Sequence, residues 1–331
     1  MSRQLWQAGE RSTASAIALP VFLLAILTGY AGQQGPPGSE GRDSESFRIS
    51  VDVALVVLPA TVSDHQGGFV SDLSEQNFEV SENGVPQRIQ LFRNEDIPVT
   101  VGLVVDHSTT MGPKLAEVTA ATHTFVKSSN RDDEMFVVNF NEKVSLGLPG
   151  AFRFTNSTAE LEYAIADAPA GGQTALYDAI AKALEELQAG SREKKVLVVV
   201  SDGGDNASTH SLAQVMKMAE QSSAVIYTVG VFDEEDPDKN PAVLKRLAQA
   251  TGGEAFFPDK LTEVVAISER IARDIRHQYT IGYVPSNPAR DGAYRAIRVL
   301  ARADGHSRLN VRTRAGYRAA GESRLDGNGA K

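Results

Sequence analysis

The stretch Val99 to Met111, VTVGLVVDHSTTM, constrains this chain more than any other. Its first half is by composition a strand buried on both faces. It then ends abruptly in an acid and several hydroxyls, groups that burial penalises unless something binds them. Asp106, Ser108 and Thr110 offer a carboxylate and two hydroxyls at alternate positions beyond the strand end. Oxygen-only ligands of this kind suit a hard divalent cation such as Mg²⁺ or Mn²⁺.

Two later stretches supply the rest of a shell. GGQTALYDAI (171–180) puts Thr174 just after a glycine pair, at the start of an amphipathic helix, and KVLVVVSDGGDN (195–206) is a second buried strand that ends in Asp202. Ligands of open α/β sheets bind in the crevice beyond the carboxyl ends of the strands. The pattern therefore brings five oxygen donors toward one point: Asp106, Ser108, Thr110, Thr174 and Asp202. Ser and Asp at strand ends also serve as turn formers and helix N-caps, which is the alternative for each of these residues taken singly. The order of all three motifs favours the metal.

The set D-x-S-x-T, a Thr after GGQ, and SDGGD resembles the metal-ion-dependent adhesion site of von Willebrand factor type A (VWA) domains. The wording VGLVVD, GGQTALYDAI and VVVSDGGDN is similar to secreted bacterial proteins of the VWFA-related type. The resemblance spans about Phe47 to Tyr317. It implies that Ser108 and Thr110 bind the ion directly, Thr174 directly or through water, and Asp202 through water, with an acidic residue of a partner filling the remaining position. One departure stands out. Where the family usually has Gly-Ser, this chain has Thr109-Thr110, a bulkier loop with a methyl on one ligand.

From about 98 to 277 strand and helix patterns alternate, which predicts a doubly wound, mostly parallel sheet. Strand candidates are Val99–Asp106, Glu134–Phe140, Lys195–Asp202, Ala224–Phe232 and the short Gly253–Phe257. Leu176, Ile180, Ala183 and Leu187 mark one helix face; Leu261, Val264, Ile271 and Ile275 mark another. Gly190 and Gly252 suit helix C-termini.

The flanks have a different texture. Ile49, Val51, Val53, Leu55 and Val57 fall at every second position, Phe78 and Val80 alternate, Asn83-Gly84 supplies a hairpin turn, and Ile89 and Leu91 alternate again. These strands are too few to stand alone. Matching material lies at the other end, in Tyr279, Ile281 and Tyr283, then Ile297, Val299, Leu309 and Val311, with turn signals at Asp291-Gly292 and Asp304-Gly305. The expected fold class is α/β, a VWA-like, Rossmann-like sheet inserted into a β-sandwich that both flanks build. The halves of that sandwich are assigned to 47–97 and 278–318, followed by a disordered tail at 319–331.

Residues 1–31 read as a cleaved signal peptide. Arg3 and Arg11 precede an apolar run from Ala16 to Leu27, about a dozen residues against the roughly 20 that cross a bilayer. Residues 32–46, rich in Gly, Pro, Ser and charge, read as a flexible linker. A secreted or periplasmic protein with no stable membrane span in the mature chain follows. The 331 residues contain no Cys, so stability must come from the core. The formal charge is −9, and Arg3, Arg11 and Glu10 contribute +1 within residues 1–31, so the remainder carries −10. That balance argues against nucleic acid and anionic membrane surfaces. It would also repel an acidic partner unless a bound cation inverts the local field.

Other chemistry finds little support. Gly112-Pro113-Lys114 lacks the upstream Gly of a P-loop, no G-x-S-x-G elbow exists, and the six His show no zinc spacing. His107 reads as a solvent-facing residue of the metal loop, with contact to a ligand or to a ligating side chain as the alternative, and Asp205 and Asn206 read as residues that hydrogen-bond the loop or reach the ion. The acidic run 233–238 reads as a solvated loop. Three functions remain. The first is an exported, non-enzymatic protein-binding module that holds Mg²⁺, or Mn²⁺ or Ca²⁺, and captures a partner's carboxylate. The second is an envelope-assembly scaffold with a weak or vestigial site. The third is a metal-assisted hydrolase built on Asp106 and Asp202, for which no second acid cluster is present.

Overall fold

Four hydrophobic strands bounded by turn signals need helices on both faces to bury them, and the chain supplies these by alternation. The computed structural model of the chain describes residues 55–232, 237–306 and 308–321. The signal peptide, the linker, the alternation from Phe47 up to residue 54, residues 233–236 of the acidic run and residues 322–331 of the tail lie outside the described residues.

In chain order the first flank forms β1 (Val56–Ser63), β2 (Phe78–Glu82), β3 (Val85–Gln87) and β4 (Ile89–Arg93). The centre follows as β5 (Val99–Asp106), α1 (Leu115–Ser128), β6 (Glu134–Phe140), β7 (Val144–Leu146), α2 (Thr158–Ala166), α3 (Leu176–Leu187), β8 (Lys194–Ser201), α4 (Leu212–Gln221), β9 (Val225–Gly230), α5 (Pro241–Thr251), β10 (Ala255–Phe256) and α6 (Glu263–Arg276). The second flank forms β11 (Tyr279–Tyr283), β12 (Tyr294–Ala301), β13 (Asn310–Arg312) and β14 (Gly316–Arg318).

The central sheet has the order β10-β9-β8-β5-β6-β7. All its pairings are parallel except that of β7 with β6. β7 was not legible as a strand: three residues with two side chains exposed carry no usable alternation. β5 is the middle of this sheet, flanked by β8 and β6, and all eight of its residues are buried. The predicted apolar face of α3 packs inward through Leu176, Ile180, Ala183 and Leu187, and that of α6 through Val264, Ile271 and Ile275. Gly252 closes α5 in the left-handed conformation, as expected of a glycine after the last helical turn.

The flanks interleave rather than stack as separate halves. β1 pairs with β11 and β13 from the other end of the chain, and β2 pairs with β12, all antiparallel. The two four-stranded sheets, β13-β1-β11-β4 and β14-β12-β2-β3, enclose a second core of Leu58, Val62, Phe78, Val80, Tyr279, Ile281, Ile297 and Val299. Buried Glu82 accepts hydrogen bonds from the Tyr283 and Tyr317 hydroxyls, at 2.7 and 2.9 Å. Among the described residues no helix is long and apolar enough to cross a membrane.

Lys194, first residue of β8, is 7% exposed and donates from Nζ to the Gln278 carbonyl at 3.2 Å. Burial lowers its pKa to about 8, against an opposing pull from Asp96. Between pH 8 and the ordinary lysine range the unfolded chain therefore binds more protons than the folded one, and stability must rise with pH there. We expect urea unfolding at pH 7.5 and 10.5 to show the native protein gaining on the order of 3 kcal/mol relative to Lys194→Met. A constant difference between the two proteins would refute this.

Candidate metal centre

β5 and β8 run side by side in register, Val105 opposite Val200, so Asp106 and the Ser201-Asp202 pair leave the sheet together. Asp106 is fully buried. Its Oδ2 accepts from the Ser201 hydroxyl at 2.6 Å and its Oδ1 from the Ser108 backbone N–H at 2.8 Å. Burial raises its pKa to about 6; the bonds from Ser201 and Ser108 oppose that shift and the charge of Asp202 adds to it.

The second carboxylate is tied to the same loop. Thr110 donates from Oγ1 to Asp202 Oδ2 at 2.6 Å, and the Ser108 and Thr110 hydroxyls lie 3.2 Å apart. Asp202 Oδ1 accepts from the Gly204 N–H at 3.0 Å. Asp106, Ser108, Thr110 and Asp202 thus share one hydrogen-bonded cluster. Gly203 has φ +81°, and a Cβ there would lie 2.5 Å from the Asn240 carbonyl oxygen. Glycine lets the segment entering α5 lie directly across this loop, where Asn240 donates its N–H to the Asp202 carbonyl at 3.0 Å.

The third loop is fastened to the first. Gly171 N–H donates to the His107 carbonyl at 2.8 Å, and Thr109 donates to the Gly172 carbonyl from both its N–H, at 3.3 Å, and its hydroxyl, at 3.1 Å. The departure at Thr109 therefore has a structural use. Thr174 is 7% exposed. Its N–H donates to Asn206 Oδ1 at 2.9 Å, and its carbonyl accepts from the N–H groups of Asn206 and Ala207, at 3.0 Å each. Among the described residues no hydrogen bond joins Thr174 to the other four candidates, and its own hydroxyl makes none. The SDGGDNAS loop also satisfies the start of α3: Asp205 Oδ1 accepts from Tyr177 N–H at 3.1 Å and Ser208 Oγ from Asp178 N–H at 3.1 Å.

His107 corrects the sequence expectation. It is 1% exposed rather than solvent-facing, because β6 ends beside it: Phe140 O accepts its N–H, and Nε2 lies 3.0 Å from Asn139 Oδ1. Burial holds the imidazole below its usual pKa, with Asn139 and the Ala168 carbonyl opposing. Asn139 in turn donates from Nδ2 to the Ala164 carbonyl at 2.7 Å. Ser201 and Asn139 were both missed. Each is a polar residue at the carboxyl-terminal end of an apolar run, VLVVV before Ser201 and MFVV before Asn139, which was the available signal.

The donor set fits a hard divalent ion. Asp106 and Asp202 are buried two-fold acceptors, and among the described residues neither is paired with Lys, Arg or His. A cation would offset the cost of holding both charges out of water. Among the described residues no group of three or more His, Cys, Asp or Glu forms a metal cluster. The candidate set combines two carboxylates with three hydroxyls instead.

The family model for the von Willebrand factor type A domain matches residues 100–270. Among solved structures, a von Willebrand factor type A protein from Catenulispora acidiphila is 14% identical, with 82% of this chain and 74% of that one covered and a TM-score of 0.49. An aerotolerance-related membrane protein from Bacteroides fragilis is 16% identical, with 54% and 98% covered and a TM-score of 0.44. The vWF domain of a type V pili tip protein from Porphyromonas gingivalis is 16% identical, with 54% and 95% covered and a TM-score of 0.46. No curated protein matches the chain.

The Ser201 hydroxyl serves twice, donating to Asp106 and accepting the Gly203 N–H at 3.0 Å. Ser201→Ala leaves a buried carboxylate with one donor fewer. We expect it to cost about 1.5–3 kcal/mol in chemical denaturation with EDTA present. A loss below about 0.5 kcal/mol would show that the Asp106 carboxylate does not depend on this bond.

Proposed function

The chain belongs to the von Willebrand factor type A domain family, a family of interaction modules, and from that premise we propose that it is an exported, metal-dependent protein-binding module. Asp106, Ser108, Thr110, Thr174 and Asp202 would hold a divalent cation, Mg²⁺ or else Mn²⁺ or Ca²⁺. One observation carries this reading: two buried carboxylates and two hydroxyls meet in one cluster that no basic side chain among the described residues neutralises. When bound, the ion supplies an open coordination position for a carboxylate of a protein partner. The protein's own residues do the rest. Ser201 and the Ser108 N–H hold the Asp106 carboxylate, Thr109 fastens the metal loop to Gly172, and Asp205 and Ser208 anchor the loop that carries Asp202. The set has no general base beside a nucleophile, so binding rather than turnover is expected. Export rests on the amino-terminal sequence alone.

A ligand of the folded state alone raises the melting temperature, by about 2.7 kcal/mol of stability at a hundredfold excess over its Kd. Wild-type protein is expected to melt higher in Mg²⁺ than in EDTA. Asp106→Ala is expected to melt cooperatively and to lose the difference. Equal midpoints for the wild type in the two buffers would remove the metal from the proposal.

A second reading has its own support. The Ser108–Thr110–Asp202 hydrogen bonds satisfy these groups without an ion, as in a scaffold whose site is vestigial. Pull-downs from envelope extract separate the two. Recovery of the same partner with and without EDTA favours the scaffold, and recovery lost in EDTA favours metal-dependent capture.

A further inference from the structure

Thr174 is the candidate ligand with the least obvious support. It follows Gly171 and Gly172, both at positive φ, and precedes Ala175, whose side chain gives α3 no cap. What holds it is residue 206. Asn206 accepts the Thr174 N–H on Oδ1 at 2.9 Å and donates its own N–H to the Thr174 carbonyl at 3.0 Å. Asn206 therefore engages both main-chain groups of Thr174, with the Ala207 N–H as a second donor to the carbonyl, and the Thr174 hydroxyl is left without a hydrogen bond among the described residues.

The carboxamide of Asn206 has a second contact: Nδ2 donates to Asp238 Oδ2 at 3.2 Å. An ionised carboxylate only accepts, so it can face only the NH₂ end of the amide. Asp238 thereby turns Oδ1 toward Thr174. The main chain that carries Asp238 runs along the ion-site loop: Asn240, two residues on, donates its N–H to the Asp202 carbonyl and accepts the Val243 N–H on Oδ1 at the start of α5.

We propose that Asn206 is a positioning residue for the ion site, setting where the Thr174 hydroxyl stands, with Asp238 fixing the orientation of its amide. The proposal rests on the metal-binding reading and adds two residues to it. Partners of ligating side chains typically change metal affinity by 10- to 100-fold when removed.

The test is calorimetric titration of the full chain with Mg²⁺ alone, with melting in EDTA as the control for folding. Asn206→Ala and Asn206→Leu remove the side-chain acceptor and keep the main-chain bond. Each is expected to melt cooperatively in EDTA and to bind Mg²⁺ roughly 10-fold more weakly than wild type. The exchange Asn206→Asp with Asp238→Asn keeps the net charge. It puts a carboxylate at 206 to accept from Thr174 and a carboxamide at 238 to donate to it. Affinity within about threefold of wild type is expected there, a rescue that general loosening of the loop would not give. Wild-type affinity in both single variants overturns the proposal and leaves the metal site standing. Failure of both single variants to melt cooperatively assigns Asn206 to folding and also overturns it, as does a charge exchange as weak as the single variants. A wild type that binds no Mg²⁺ overturns the metal reading itself.

Discussion

A fully buried carboxylate at the end of the central strand is the constraint around which the rest is arranged. Taking Asp106 out of water costs several kcal/mol unless hydrogen bonds and charge offset it. The strand cannot simply be shortened to expose the acid, because β5 lies inside the sheet and stays paired up to Asp106, with Phe140 of β6 beside it and β8 running to the same height on its other side. The chain answers by ending β8 in Ser201 at the same level, so that one hydroxyl reaches Asp106 while the next residue brings a second carboxylate. Two negative charges then stand close together. The hydroxyls of Ser108 and Thr110 solvate them in part, and a hard cation is what such a set suits best.

Three loops must hold still for that cluster to persist, and each is fastened by residues of another. The first gives its carbonyl at His107 to Gly171, the third gives its carbonyl at Gly172 to Thr109, and the loop after β8 reaches across to the start of α3 through Asp205, Asn206 and Ser208. These are mostly bonds between main-chain groups and short polar side chains, the type that caps helices and closes turns. Turn-forming and ligating roles are therefore not alternatives here. Asp205 and Ser208 act as caps and Asn206 holds the Thr174 main chain, while among the described residues the Thr174 hydroxyl makes no hydrogen bond.

Much of the fold could be read from the sequence because its signals are local. A run such as VTVGLVV has one architecture available to it in a chain that alternates strands and helices, and the period-two flanks could not be helices. The pairing of the flanks was legible only as an inference from insufficiency, since each alone has too few strands; the register, with Val57 opposite Gly282 and Val299 opposite Val80, depends on side-chain packing across more than 200 residues. The candidate donors were likewise visible as motifs. Their supports were not. His107 and Asn139 meet across 32 residues of chain, and nothing near either residue announces the other. Ser201 sat beside a motif in plain view, but its role depends on two strands ending at the same height, which is a property of the sheet rather than of either segment.

The sandwich grips the central domain at the end away from this cluster. In an α/β sheet a helix C-terminus lies near the N-terminal ends of the strands, and Arg314, 7% exposed between β13 and β14, donates from Nη2 to the carbonyls of Ala219, Glu220 and Ser222 at the C-terminus of α4. The cation also complements the partial negative charge of that helix end. Near the C-terminus of α6, buried Asp274 accepts from Thr61 at 2.7 Å and pairs with Arg312, joining that helix to β1 and β13. The chain crosses between the two parts at the same end, entering β5 after β4 and leaving α6 for β11. Building the sandwich from both flanks thus closes the base of the central sheet, and among the described residues these contacts lie at the end opposite Asp106 and Ser201.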